Sequence, residues 1–100
     1  MAKHGIIVTI LGKQYELTFE ERLPRLPDGR KAAGWCDHPE TVGKKIRIRQ
    51  GMTEEQTLDT LIHEMLHAAA WQIKEELVEE FSSNAAEILC RLGWTKREDS

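Results

Sequence analysis

One hundred residues are enough for one hydrophobic core and too few for two, so residues 1–100 are read as a single domain with one principal site. Fourteen basic against 17 acidic residues, a net charge of −3, create no strong field toward nucleic acid or an anionic membrane, and neither is expected as a partner. The 2 cysteines, Cys36 and Cys90, stand far apart and exclude a disulfide framework or a four-cysteine metal module; both read as reduced, packed side chains.

The apolar run Ile6 to Leu11 is too short for a secretory leader core or a membrane span, which makes a cytoplasmic protein the expectation. It predicts a buried strand. After Gly12-Lys13, Tyr15, Leu17 and Phe19 alternate with polar neighbours, so the two segments predict a β-hairpin. From Glu20 to Thr41 three prolines and Asp28-Gly29 and Gly34 interrupt any period, and the segment reads as a loop with a short strand near Trp35. Lys44 to Arg49 alternates charge with Ile46 and Ile48, the pattern of a half-exposed strand at a sheet edge.

Thr53-Glu54-Glu55-Gln56 has the form of a capping box and opens a helix expected to reach about Trp71, with Leu58, Leu61, Ile62, Met65 and Ala69 on its core face. A second helix is expected from about Glu75 to Leu92. Its apolar stripe would be Ile73, Leu77, Phe81, Ile88 and Leu92, and Gly93 would cap it. The link between the helices is short, so they should pack antiparallel. Together these elements predict an α+β fold, a sheet of three or so strands packed on two helices.

Within the first helix stands His63-Glu64-Met65-Leu66-His67. Two histidines four residues apart lie one turn apart on one side of a helix, where both imidazoles can reach one tetrahedral zinc ion. Glu64 projects beside that pair, placed to take a proton from a zinc-bound water as general base. From Leu61 to Trp71 the only charged residue is Glu64, so the histidine side should face a cavity or a packed neighbour rather than open solvent. A catalytic zinc site of this kind needs a third protein ligand and leaves the fourth position to water. No histidine follows His67, so that ligand must be a carboxylate on the second helix. Taking Ile73, Leu77 and Phe81 as the buried stripe, Glu75 and Glu79 point away from the first helix and Glu76 points toward it; Glu76 is the expected ligand, with Glu80 next. Asn84 and Asp59 are candidates to orient a ligand imidazole, and Cys36-Asp37-His38 is a weaker candidate for a second metal site.

The ten residues Thr60 to Ala69 resemble the extended active-site consensus of the zincin metallopeptidases, in which uncharged residues flank His-Glu-x-x-His. More loosely, Lys45 to Trp94 resembles the small SprT-like and minimal gluzincin-type metallopeptidases of bacteria and phages. The resemblance implies a pared-down zincin domain with one zinc ion per chain, a twisted sheet, a backing helix that supplies the third ligand, and a peptide or protein substrate laid along an edge strand. That strand is expected to be Lys44 to Arg49, with residues 20–43 lining the cleft. The expected activity is therefore a zinc metallopeptidase, with metal ligands His63, His67 and Glu76 and catalytic Glu64. Two rivals remain at this point: a zincin-like module that binds peptide without turnover, and a structural zinc that staples the helix pair.

Overall fold

A computed structural model describes residues 5–94; His4 and the charged tail after Trp94 lie outside them. Four strands and two helices follow in the order β1 (Ile6–Ile10), β2 (Lys13–Glu20), β3 (Gly34–Cys36), β4 (Lys45–Arg49), α1 (Glu54–Ala69) and α2 (Glu75–Arg91). The α+β class is as expected, with one more strand than the three or so anticipated. The short strand is the one foreseen near Trp35.

The sheet order is β1-β2-β4-β3. β1 and β2 form the hairpin, closed by Leu11 and Gly12, both at positive φ as a type I′ turn requires. β2 and β4 run parallel, and β3 returns antiparallel along the far side of β4. β4 is therefore an inner strand, which corrects the expectation that Lys44 to Arg49 forms the edge. The alternation has a different cause. Ile46 and Ile48 are fully buried toward α1, while Lys45, Arg47 and Arg49 project from the opposite sheet face, which no helix covers. On that open face Lys45 meets Glu16 and Arg47 meets Glu20, both at 3.8 Å, across the β2–β4 register. The true edge beside α1 is β3.

Tyr15, Leu17, Ile46, Ile48 and Ala68 make the core between the sheet and α1. The capping box of α1 forms as read: Thr53 Oγ1 accepts from the Gln56 amide and Gln56 Oε1 accepts from the Thr53 amide, each at 3.1 Å. Met65 and Ala69, assigned to the core face, are exposed; Glu64 and Ala68 are the buried positions of this helix. At the end of α2 the Trp94 amide donates to the Leu89 carbonyl and the Gly93 amide to the Cys90 carbonyl, with Gly93 at φ 93°, the expected glycine cap.

α2 packs on α1 and reaches no strand, so the layers run sheet, α1, α2. The pairing of His67 with Glu75 and of Asp59 with Ser82 fixes the two helices as antiparallel. The rotation of α2 about its axis differs from the one expected. Val78, Ser82 and Ala86 are buried against α1, whereas Leu77, Phe81 and Ile88 are 56%, 55% and 53% exposed. Small residues let the helices approach closely, and the bulky apolar ones face out.

Candidate metal centre

The rotation of α2 decides which carboxylate meets the two histidines. At about 100° per residue Glu75 lies within roughly 20° of Ser82 and Ala86, on the buried face. Its carboxylate reaches both histidines of α1: Oε2 lies 3.1 Å from His63 Nε2 and Oε1 lies 3.0 Å from His67 Nε2. Both glutamates are exposed, but Glu76 is turned away from α1 and only Glu75, the residue set aside on the other phase, completes the cluster. Of the expected set His63, His67 and Glu76, the structure brings the two histidines together with Glu75, and Glu76 stands outside that group.

The three ligand atoms fall within 4.8 Å of one another and form the only metal-capable group among the described residues. Tetrahedral bonds of 2.0 to 2.1 Å require neighbouring ligand atoms roughly 3.3 Å apart, so the two nitrogen–carboxylate separations of 3.1 and 3.0 Å would open by a few tenths of an ångström around an ion. The helix spacing holds the imidazoles with ring centroids 4.9 Å apart. Trp71, just past the end of α1, sets its ring edge-on to His67 at 6.2 Å, and His38 packs against Trp71 at 4.8 Å.

Glu64 follows His63 yet points differently, into the space between α1 and β3. The residue is only 8% exposed, and it lines a cleft of about 290 Å3 together with Cys36, His67 and Glu75. Burial, with the Glu75 charge adding to it, pushes the Glu64 carboxyl from its ordinary 4.5 up to about 7. A carboxyl poised there can both take and return a proton at neutral pH. Gly34 of β3 makes the close packing possible. A Cβ at this position would meet Thr60 Cγ2 at 2.6 Å and Glu64 Oε2 at 2.9 Å, so the strand can cross α1 at this height only without a side chain.

Cys36 lines the same cleft from the strand edge. Burial, followed by the Glu64 and Asp37 charges, pushes its thiol up to about 12, which keeps it protonated and unsuited to nucleophilic attack. The second metal site considered at Cys36-Asp37-His38 does not assemble. The Asp37 carboxylate accepts from Trp35 Nε1 and the Lys45 amide, and His38 Nδ1 accepts from the Glu40 amide. Asp59 accepts a 2.9 Å hydrogen bond from buried Ser82 and so joins the helices rather than orienting an imidazole; Asn84 is exposed. Glu75, Gly34 and the cleft-lining role of Cys36 were not foreseen. The signal for Glu75 was the pair of small residues Ser82 and Ala86 on its own face.

No known family, curated protein or solved structure matches this chain. No helix among the described residues is long and apolar enough to cross a membrane.

Proposed function

We propose that the chain is a zinc-dependent metallopeptidase in which His63, His67 and Glu75 hold the ion and Glu64 is the general base. The observation that carries this reading is Glu64, a largely buried residue whose carboxylate opens into the cleft that also holds His67 and Glu75. A largely buried carboxyl whose oxygens open only into a cleft is held near neutrality by its surroundings, which suits a proton-transfer role. Bound zinc would polarise the carbonyl under attack and acidify a water at the position the three ligands leave open. Glu64 then removes a proton from the attacking water and delivers it to the departing amine nitrogen. Three ligands, with no fourth in the cluster among the described residues, favour catalysis over a closed structural site.

The substrate strand is assigned to β3. It pairs with β4 alone, its Cys36 faces the cleft, and its backbone passes directly over Glu64, so an extended peptide added to its free edge would bring a carbonyl to the site.

Metal content and hydrolysis of unstructured peptides, measured together, test the proposal. The expected results are about one zinc per chain with hydrolysis in the wild type, neither in His63→Ala, and zinc without hydrolysis in Glu64→Gln. A folded wild type that takes up no zinc when it is supplied would sink the proposal. Zinc binding with unaltered hydrolysis in Glu64→Gln would remove the assigned base.

A further inference from the structure

A second cleft, of about 570 Å3, lies where the loop after β2 folds over the end of β4, and its lining is strongly cationic. Arg22, Arg25, Lys31 and Arg49 converge on it, against the single carboxylate of Glu21. This is unexpected in a chain whose acidic residues outnumber its basic ones, 17 to 14. Elsewhere among the described residues four cations stand beside carboxylates, Lys13 by Glu40, Arg30 by Asp28, Lys45 by Glu16 and Arg47 by Glu20, and the unpaired Lys44, Lys74 and Arg91 are scattered singly along the chain. Among the described residues, none of the four cations in this cleft has a carboxylate within 4.0 Å.

The backbone holds like charges together here. Arg25 and Lys31 face one another across an isolated antiparallel bridge, beneath a turn closed by Leu26 and Arg30 and made at Asp28-Gly29. Like charges directly opposite on paired strands destabilise the pairing unless something neutralises them. Asp28 is unavailable, since both its oxygens are taken by Arg30. Arg25 Nη1 is fixed on the Gly29 carbonyl at 2.9 Å and Arg49 Nη1 on the Ala32 carbonyl at 3.3 Å, which orients both guanidinium groups and leaves their remaining N–H donors for a ligand.

We infer that this cleft binds a compact, multiply charged phosphoanion of the diphosphate type. Three guanidinium forks and one ammonium match phosphate oxygens in geometry and charge. The only apolar lining comes from Leu23 and Ala32, and no aromatic side chain offers a base a stacking surface, which distinguishes this site from a single-stranded nucleic-acid groove. The site is independent of the metal centre.

The test is titration of inorganic diphosphate into the full chain, followed calorimetrically, for the wild type, Arg25→Gln/Lys31→Gln and Lys13→Gln. Any chelation of metal by diphosphate is common to all three proteins and cancels in the comparison. Saturable binding is expected in the wild type, weakened about tenfold or more in the double variant and unchanged in Lys13→Gln, whose lysine lies outside the cleft. The double variant loses the Arg25–Lys31 repulsion and the exposed Arg25 hydrogen bond to Gly29 together, so its melting point without ligand should stay within a few degrees of the wild type, and that measurement separates weakened binding from unfolding. Absence of saturable binding to the wild type, equal weakening in Lys13→Gln, or much tighter binding of a single-stranded oligonucleotide than of diphosphate would each overturn the inference.

Discussion

Replacing Glu64 by Gln separates the electrostatic consequence of the buried carboxyl from its proposed chemistry. In the metal-free fold the carboxyl titrates near 7, above its ordinary 4.5, chiefly because burial disfavours the charge. The fold therefore carries no charge cost at this position below about pH 4.5 and the full cost above about pH 7. That cost is about 3 kcal/mol, reduced to about 2 kcal/mol by water entering the open cleft. Glutamine has the same shape and no charge. With a chelator present, Glu64→Gln should match the wild type in urea denaturation at acid pH and exceed it by about 2 kcal/mol at about pH 8, the gap opening as the pH rises. A gap of the same size at both pH values, or none at the higher one, would refute the assignment of Glu64 as a buried, uncompensated carboxyl.

Exchanging Glu75 for Gln should lower zinc affinity by about a hundredfold or more in a competition titration, while Glu76→Gln leaves it unchanged; the opposite order would restore the ligand expected from sequence. Gly34→Ala forces a methyl against Thr60 and Glu64, and should cost about 1 to 3 kcal/mol in urea denaturation and suppress hydrolysis while zinc stays bound. The rotation of α2 is tested by a pair of truncations. Val78→Ala should destabilise by about 2 kcal/mol and Phe81→Ala by no more than about 0.5 kcal/mol, although phenylalanine is the larger side chain.

Those residues also show where the sequence was readable. Thr53-x-x-Gln56 and Gly93 act through local backbone hydrogen bonds, and local chemistry needs no knowledge of the partner, so both helix ends fell where they were expected. His63, Glu64 and His67 were legible for the same reason, since the helix period alone sets their spacing. The phase of α2 was not legible. Leu77, Phe81 and Ile88 outweigh Val78, Ser82 and Ala86 in any hydrophobic periodicity, yet close approach to α1 selects the small side chains, and this helix has no other layer to cover its large ones. The choice of Glu76 over Glu75 followed from that phase. β4 failed differently: alternating isoleucine and basic residues report one covered and one open sheet face, and the same pattern serves an edge strand and an inner one. Gly34 read as a loop breaker because its constraint comes from Thr60 and Glu64, remote in sequence.

α2 rests on α1 alone, joined to it by residues 70–74, and it carries the carboxylate that meets the two histidines. Under the proposed reading, an ion held at that junction is shared between the two helices, so its binding and the docking of α2 reinforce each other by the same free energy. Amide exchange along α2 should then slow as zinc rises, with the strands much less affected. The outermost layer of the protein would thus act as a gauge of metal supply, fully seated when the ion is plentiful and loosened when it is scarce.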